Sequence, residues 1–338
     1  MATIRDVARL SGVSISTVSN VLTNAERPVS AHIRQRVVHF AKELDYHPNA
    51  MARALVRRRM DSIGVLSGIF AATDIVTNSY AAGVMKGVLS EATEAKQNIT
   101  LYTQYWRGAA ESLSMFRDQR ADGLILISPP IDSDIVEAVA GLGLPLVTVS
   151  TNPHPGVPTV DVDDNCGGRI VIEHLTKLGH RRIAHIGGAE NLISTPNRRN
   201  GYLSTMQSWG LPVLDQYVQH AGYDGTGAAE AAAALFGLTE PPTAIFAGND
   251  NIALAVMQAA VHAGLRVPRD LSVVGYDDSP FAIYLEPALT TVRQPLNAIG
   301  AKATQLLMCL INGEPAADNV YTIEPELVVR ATSAPLKL

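Results

Sequence analysis

The sequence predicts an α/β protein in which an all-α amino-terminal segment precedes a body of two doubly wound parallel sheets. The chain has 338 residues, 47% of them hydrophobic, which is enough for two or three domains. Residues 1–60 contain short amphipathic helical patterns. From Ser62 onward, continuous apolar runs alternate with helical patterns, as in parallel sheets that helices cover on both faces.

The pattern from Ile4 to Leu22 predicts two short helices joined by a tight turn. Thr3 can cap the first helix, with Asp6 three residues later, and Gly12 supplies the positive φ that the turn requires. The positions where two crossed helices would bury a shared seam are Val7, Ala8, Val13, Val18 and Val21. The segment is therefore predicted to be a helix-turn-helix.

Two further helices are expected before residue 60. One begins after Ser30, which can cap it, and runs to about Leu44 with its apolar residues on one face. The other extends from Asn49 to about Arg57, and a helix this short is not stable alone in water. We expect it to form against DNA or a second copy of the chain. The arginines at 57–59 either contact phosphate or belong to a solvated linker.

The charge is distributed unevenly along the chain. Residues 1–60 carry ten Lys and Arg against four Asp and Glu, whereas the remaining residues carry 17 against 28. A basic segment on an acidic body is typical of a protein that presents one small surface to a polyanion. The composition therefore favours a nucleic acid as partner.

The body is expected to contain two runs of strands and helices that break near Asp161. The expected strands are Ile63–Leu66, Ile99–Tyr102, Gly123–Ile127, Pro145–Val149, Ile183–Ile186, Ala244–Ala247, Ser272–Gly275 and Pro325–Arg330. The expected helices are Tyr80–Ala95, Gly168–Leu178, Arg199–Trp209, Ala228–Phe236, Asn251–Ala263 and Leu296–Leu310. Crossings between two lobes near 160, 291 and 323 would form a hinge, with a cleft at the carboxyl ends of the strands.

Several kinds of chemistry are not indicated by the sequence. Cys166 and Cys309 lie far apart without metal-ligand spacing, and neither a nucleophile elbow nor a Walker-type loop is present. The loop Gly222–Gly227 is either a phosphate cradle or the cap of the next helix. No apolar signal segment or membrane span is found. We expect a cytoplasmic binding protein without enzyme activity, cofactor or metal ion.

The order of short motifs resembles the lactose/galactose-repressor (LacI/GalR-type) family of transcription regulators. The motifs are Ile4-Arg-Asp-Val-Ala, Thr17-Val-Ser, Leu44-Asp-Tyr-His-Pro-Asn, Ala52-Arg-Ala-Leu, His174-Leu-Thr-Lys-Leu-Gly-His, Gly248-Asn-Asp, Gly275-Tyr-Asp-Asp and Leu289-Thr-Thr-Val-Arg-Gln-Pro. The resemblance covers essentially the whole chain. It implies a helix-turn-helix DNA-binding domain and a two-lobed periplasmic-binding-protein-like core.

The resemblance also implies domain boundaries. The DNA-binding domain is expected at 1–46, followed by a hinge helix and linker at 47–60. The amino-terminal core subdomain is expected at 61–160 with 293–322, and the carboxy-terminal core subdomain at 161–291 with 323–338. Because the chain ends without a leucine heptad, a homodimer is favoured over a tethered tetramer.

Candidate DNA-binding residues follow from the helix-turn-helix and from the resemblance. Ser16 and Asn20 can hydrogen-bond base edges, and Ile15 can contact a thymine methyl group. Thr17 and Ser19 either touch phosphate or are ordinary helix polar residues. By resemblance, Leu55 enters the minor groove and kinks a pseudo-palindromic operator. The complete expected set is Thr3, Ser14, Ile15, Ser16, Thr17, Ser19, Asn20, Asn49, Ala52, Arg53, Leu55 and Val56.

Candidate effector-binding residues are implied for the cleft. By resemblance, Arg198 holds ligand oxygens, Asn249 and Asp277 hydrogen-bond ligand hydroxyls, and Tyr223 lies under a sugar ring. Ser150 stands where sugar-responsive relatives often carry Asp, which leaves a neutral sugar and a sugar acid both open. Tyr80, Trp106 and Arg107 either reach the site or pack elsewhere, and Asp250 and Asp278 are expected to cap helices. The complete expected set is Gly68, Ser150, Arg198, Tyr223, Asn249, Asp277 and Gln294.

The sequence thus predicts a ligand-responsive repressor that binds double-stranded operator DNA as a homodimer. The expected effector is a sugar, a sugar acid or a related small molecule. Two alternatives share the two-lobed body: a solute-binding protein for uptake and a sugar-metabolising enzyme. The first would need a signal peptide and no helix-turn-helix, and the second would need a general base placed for turnover.

Overall fold

The computed structural model describes residues 2–22, 28–47, 59–68, 78–118 and 120–336. The chain divides into two compact units, Met1–Met60 and Asp61–Leu338. The expected hinge helix at Asn49–Arg57 lies outside the described residues. The predicted fold class, with amino-terminal helices and two sheets of mainly parallel strands, is confirmed.

The amino-terminal unit contains three described helices, α1 (Ile4–Ser11), α2 (Ile15–Leu22) and α3 (Ala31–Glu43). Gly12 ends α1 with φ of 60°, a left-handed conformation that costs glycine little. The predicted seam is present, because the core of this unit is formed by Val7, Ala8, Val18, Val21, Val37 and Ala41. The sequence periodicity therefore defined both the turn and the buried face.

The second unit is built from twelve strands and eight α-helices among the described residues. The strands are β1 (Ser62–Ser67), β2 (Asn98–Leu101), β3 (Gly123–Ile127), β4 (Leu146–Val149), β5 (Thr159–Val162), β6 (Ile183–Gly187), β7 (Val218–His220), β8 (Ala244–Ala247), β9 (Ser272–Asp277), β10 (Thr290–Arg293), β11 (Val320–Ile323) and β12 (Glu326–Val328). The helices are α4 (Ser79–Glu94), α5 (Ala109–Ser112), α6 (Ile135–Ala140), α7 (Asp164–Lys177), α8 (Ser194–Ser208), α9 (Ala228–Phe236), α10 (Asp250–His262) and α11 (Leu296–Ile311).

The strands form two six-stranded sheets. The first has the order β11-β5-β4-β3-β1-β2 and is parallel throughout. The second has the order β12-β10-β9-β8-β6-β7, and only β12 runs antiparallel to its neighbour. We call each sheet with its covering helices a lobe, the first lobe and the second lobe.

The chain passes between the lobes three times. It leaves the first sheet after β5, returns after β10 because α11 packs on the first sheet, and crosses again between β11 and β12. Both lobes turn the carboxyl ends of their parallel strands toward the segments that connect them. Loops that follow those strands therefore face a common cleft, as open α/β sheets favour.

Two glycines let α4 and α11 cover the first sheet at close range. A Cβ atom on Gly300 would lie 2.0 Å from the carbonyl oxygen of Val84, and one on Gly87 would lie 2.0 Å from that of Asn297. Apolar side chains of both helices then pack on the strands. A side chain larger than hydrogen at either glycine would therefore force α4 and α11 apart.

Most sequence-predicted elements are confirmed within a few residues, and the differences have local causes. Helix α7 begins earlier than expected, at Asp164, because the side chain of Asp163 accepts a hydrogen bond from the backbone N of Cys166. Helix α8 begins at Ser194 rather than at Arg199. Strand β7 and helices α5 and α6 were not expected, because elements of three to six residues carry little periodicity.

Gly300→Ala should destabilise the second unit by about 1–3 kcal/mol, because the new methyl group would push α11 away from the backbone of α4. Urea unfolding followed by circular dichroism measures the change in the free energy of unfolding. Gly141→Ala is the matched control, because its Cβ would lie 3.5 Å from the nearest atoms at a φ of −62°. Equal losses in both variants would contradict the close-packing argument.

Candidate DNA-binding helix and ligand cleft

The amino-terminal end of α2 presents an unusual surface. Ser14 caps the helix by accepting a hydrogen bond of 3.1 Å from the backbone N of Thr17. Ile15 is 45% exposed, although a large apolar side chain gains free energy by leaving water. Ser16 beside it is also exposed, and its hydroxyl lies 2.7 Å from that of Ser14. The helix thus carries an apolar contact and a hydrogen-bonding group on its first turn.

The remaining DNA-binding candidates divide into two groups. Thr3 donates a hydrogen bond of 2.7 Å from its hydroxyl to the carboxylate of Asp6 at the start of α1. Thr17, Ser19 and Asn20 are partly buried along α2. The candidates outside the described residues are Asn49, Ala52, Arg53, Leu55 and Val56.

A pocket lies between the lobes of the second unit, with an empty volume of about 500 Å³. Its walls come from loops and helix starts that follow strands of both sheets. The lining residues are Asn78, Tyr80, Ser128, Ser150, Asp164, Leu192, Ile193, Ser194, Arg198, Tyr223, Asn249 and Asp277.

The guanidinium of Arg198 lies at the centre of the second-lobe wall. Its Nε donates to Asp164 Oδ1 at 2.8 Å, and its Nη1 donates to the carbonyl oxygen of Gly248 at 2.6 Å. Its Cζ stands 3.7 Å from the ring centroid of Tyr276, a cation–π contact. Arg198 and Asp164 are 4% and 1% exposed, so this ion pair is excluded from water. Two of the donor nitrogens are therefore already committed to the protein.

Burial changes the protonation of the acidic groups around Arg198. Desolvation raises the pKa of Asp277 to about 6, although the positive charge of Arg198 opposes the shift. Desolvation also raises the pKa of Asp164, again against the effect of Arg198. Asp277 Oδ1 lies 4.0 Å from Arg198 Nη1 and accepts a hydrogen bond of 2.6 Å from Gln294 Nε2. The wall therefore combines one cation with two carboxyl groups.

The first-lobe wall contains a chain of three hydrogen-bonding groups. The hydroxyls of Tyr80 and Ser150 are 2.5 Å apart, and Ser150 Oγ donates to Asp161 Oδ1 at 2.7 Å. Tyr80 and Ser150 line the pocket, whereas Asp161 lies behind Ser150. Desolvation, together with the negative charge of Asp164, raises the pKa of Asp161 to about 7.

Tyr223 and Asn249 lie on the cleft wall but are largely engaged by the protein. The hydroxyl of Tyr223 is bonded to those of Ser194 and Thr195, and a Cβ on Gly188 would lie 2.2 Å from its ring. Asn249 Oδ1 accepts from the backbone N of Ile252, and its Nδ2 donates to the carbonyl oxygen of Tyr223. Both residues therefore shape the wall through contacts within the second lobe.

Two effector candidates are not on the cleft wall. The backbone N of Gly68 donates to the carbonyl oxygen of Ile127, and a Cβ there would lie 2.3 Å from Cα of Pro129. This glycine allows two loops to pass closely. Gln294 is buried behind Asp277 and holds its carboxylate. Of the side chains whose position was left open, Tyr80 reaches the pocket, whereas Trp106 Nε1 donates to Asp134 instead.

The expectation that Asp250 and Asp278 cap helices is wrong. Asn249 caps α10, whereas Asp250 is buried and accepts hydrogen bonds from Ser279 N and Thr291 Oγ1. Asp278 forms ion pairs with Arg293 and Arg330, at 2.7 and 2.5 Å. The sequence placed these acids correctly after their strands but could not show which neighbouring groups would form hydrogen bonds or ion pairs with them.

Sequence reasoning also missed several members of the cleft. Asp164 was not among the candidate effector residues, yet it lies at the start of α7 and its carboxylate faces Arg198. Ser128 follows β3 as Ser150 follows β4, and both adopt positive φ, at 47° and 52°. The position of Ser128 after an apolar strand was a signal that could have identified it. The loop Gly222–Gly227 caps α9, which the more conservative of the two interpretations predicted.

Within the described ranges, no group of three His, Cys, Asp or Glu side chains is arranged to hold a metal ion. In that same part of the chain, no helix combines the length and apolarity that crossing a membrane requires.

Comparisons with known proteins agree with this geometry. Residues 3–49 match the family described as bacterial regulatory proteins, lacI family, and residues 172–333 match the periplasmic binding protein-like domain. The chain is 32% identical to a probable HTH-type transcriptional repressor, ExuR of Bacillus subtilis (strain 168), over 98% of both proteins.

Two solved structures share the fold over nearly the whole chain. One is the Lac repressor dimer bound to operator and the anti-inducer ONPF, with a TM-score of 0.86, 27% identity and coverage of 98% of this chain and 99% of that one. The other is the transcriptional regulator CelR in complex with cellobiose, with a TM-score of 0.76, 29% identity and coverage of 98% and 100%.

The helix-turn-helix and the two-lobed body define the class of helix-turn-helix transcription regulators with a periplasmic-binding-protein-like core. Within that class, the chain belongs to the lacI family of bacterial regulatory proteins.

Arg198→Met should lower the free energy of unfolding by about 3–5 kcal/mol at pH 8, because the carboxylate of Asp164 would remain buried without its partner. The loss should be smaller at pH 5, because a protonated Asp164 needs no counter-charge. Chemical unfolding at both pH values measures this difference.

Arg199→Met is the control for this prediction, since its ion pair with Glu190 is partly exposed. Such pairs contribute less than about 1 kcal/mol. A loss in Arg198→Met that did not exceed the control would show that the buried ion pair does not stabilise the second lobe.

Proposed function

We propose that this protein is a ligand-responsive transcriptional repressor that binds a pseudo-palindromic operator as a homodimer. The observation that carries the proposal is the presence, on one chain, of a helix-turn-helix unit and a two-lobed unit with a polar cleft. The first supplies recognition of DNA, and the second supplies a site whose occupation can alter that recognition.

Recognition begins at the first turn of α2. A recognition helix meets base edges with its amino-terminal side chains, and those of α2 are Ile15 and Ser16, both exposed. Asn20, one turn further, can pair with adenine. Leu55, outside the described residues, is proposed to enter the minor groove and kink the duplex, which requires two symmetric copies. The similar structure of the Lac repressor dimer bound to operator supports this arrangement.

The effector is proposed to bind between the lobes. Polar groups of both walls converge on the pocket, with Tyr80 and Ser150 on one side and Arg198 and Asp277 on the other. A ligand that bridges both walls stabilises the closed arrangement of the lobes. A sugar or sugar derivative suits such a site, and the relative solved with cellobiose supports this class.

Ligand and DNA are proposed to be coupled through the closure of the lobes. A ligand shifts the equilibrium between two conformations only by as much as its affinities for them differ. The same coupling free energy must then appear in the affinity for operator. The three crossings between the lobes are proposed to serve as the hinge of this motion.

Ile15→Ala should weaken specific operator binding by about 1–3 kcal/mol, since it removes an apolar contact to a base edge. Binding to random DNA should change little, because phosphate contacts dominate it. The operator is first selected from genomic fragments, and gel-shift titrations then give both affinities at one salt concentration.

Val38→Ala is the matched control, because Val38 is a similarly exposed apolar residue on α3. Its operator affinity should equal that of the wild type. The proposal that α2 reads base edges would be contradicted by either of two results. One is a loss of operator affinity in Val38→Ala as large as in Ile15→Ala. The other is an equal loss of affinity for specific and random DNA in Ile15→Ala.

A compound that binds the cleft should raise the thermal midpoint and also change operator affinity. At a concentration of one hundred times Kd the stabilisation is about 2.7 kcal/mol. A screen of sugars, sugar acids and nucleobases by thermal shift identifies the compound, and gel-shift titration with and without it should show a change of about 5-fold or more. A stabilising compound that left operator affinity unchanged would contradict the coupling.

A further inference from the structure

We propose that Asp161, acting through Ser150, makes the first-lobe wall of the cleft a hydrogen-bond acceptor that selects an uncharged polyhydroxyl effector and rejects its carboxylate-bearing counterpart. Asp161 is therefore a positioning residue, because Ser150 and Tyr80 line the pocket in front of it. This inference rests on the proposed function, since it concerns the effector of the same cleft.

The direction of the hydroxyl protons follows from the hydrogen bonds. A charged Asp161 can only accept, so Ser150 Oγ donates its single proton to Asp161 Oδ1. Ser150 Oγ must then accept from the hydroxyl of Tyr80, 2.5 Å away. Both protons are consequently used within this chain of groups and are not available to a ligand. The oxygens of Tyr80 and Ser150 present lone pairs to a ligand, which a ligand O–H can satisfy and a carboxylate oxygen cannot.

The orientation of Asp161 is held on a second side. The backbone N of Val162 donates to the same Oδ1 atom at 2.8 Å. Among the described residues, no Lys, Arg or His nitrogen forms an ion pair with this carboxylate. Its negative charge is therefore not neutralised by an ion pair, although the positive charge of Arg198 acts on it, and this charge acts across Ser150 on whatever occupies the cleft.

The other wall offers little to compensate an anionic ligand. Among the described residues that line the pocket, Arg198 is the single basic side chain, against Asp164 and Asp277. Its Nε and Nη1 already donate to Asp164 and to Gly248, which leaves Nη2 without a partner among the described residues. A ligand carboxylate would thus enter a site with more acidic than basic groups.

Protonation of Asp161 should relax this selection. The charged groups around it are Asp164 at the start of α7 and Arg198 on α8, and Tyr80 of α4 is the nearby titratable hydroxyl. Because desolvation raises the pKa of Asp161 to about 7, the neutral acid becomes populated as the pH falls below neutrality. A carboxylic acid can donate to Ser150, and the two hydroxyls can then turn their protons toward the cleft.

The test uses calorimetric binding of matched probe pairs, such as galactose with galacturonate, glucose with glucuronate, and further sugars with their acids. At pH 8 the wild type should bind the neutral member of at least one pair about a hundredfold more tightly than its acid. Asp161→Asn should reduce that ratio to about tenfold or less, because the amide can donate to Ser150 and carries no charge. In the wild type, the ratio should fall between pH 8 and pH 6. In Asp161→Asn it should fall by less, because of the two carboxyl groups Asp161 and Asp277 only Asp277 then remains to titrate.

Asp215→Asn controls for the change in net charge, because Asp215 is exposed in the second lobe, away from the pocket lining, and its variant should keep the wild-type ratio. Tighter binding of an acid than of its neutral partner in the wild type would overturn the proposal, and so would binding of no neutral probe. In either case, a compound of another class that changes operator affinity would leave the proposed function standing.

A second measurement tests the charge of Asp161 without any ligand. A raised pKa means that the folded protein holds a proton that the unfolded chain has released, so the charged group destabilises the fold increasingly as the pH rises from about 4 to 7. Asp161→Asn should therefore raise the thermal midpoint more at pH 8 than at pH 4. An equal effect at both pH values would show that the carboxylate carries no uncompensated charge, and the proposal would fail.

Discussion

The positive charge of Arg198 is held out of water, and the arrangement of the cleft depends on how that charge is satisfied. Its partners come from separate parts of the second lobe: Asp164 at the start of α7, the carbonyl of Gly248 after β8 and the ring of Tyr276 in β9. An ion buried this deeply is tolerated only when its partners are correctly placed. The guanidinium therefore aligns these elements around a single point and leaves one amino group for a ligand.

The topology explains why polar groups gather at that point. Parallel strands end on one edge, and the loops that follow them carry the residues that line the cleft. Ser128, Ser150 and Asp277 all adopt positive φ immediately after or at the end of a strand, with φ of 47°, 52° and 114°. Such conformations cost energy for residues other than glycine, and they aim these side chains into the pocket. The lobes also touch directly, since the backbone N of Ile131 donates to the carbonyl oxygen of Asn191 at 2.9 Å.

The two units of the chain differ in what holds them together. Among its described residues, the amino-terminal unit has a core of six buried side chains, so its stability depends strongly on helix caps and on the turn at Gly12. The part of the second unit that the structure describes has four separate apolar clusters on the faces of its sheets. The two units are therefore stabilised in different ways, and they match two different domain families, the lacI-type regulatory domain and the periplasmic binding protein-like domain.

Local pattern was sufficient for the helix-turn-helix, for most strands and for the family. The seam at Val7, Ala8 and Val18, the turn at Gly12 and the apolar strands are determined by residues close in sequence, through helical period and backbone sterics. The cleft depended on contacts between distant residues. Three hydrogen bonds show this. Arg198 donates to Asp164, 34 residues away, and Ser150 donates to Asp161, 11 residues away. Thr291 donates to Asp250, 41 residues away. Such pairings are determined only in the tertiary structure. Several carboxylates are near few hydrogen-bond donors there, and the burial of each group determines which pairs form.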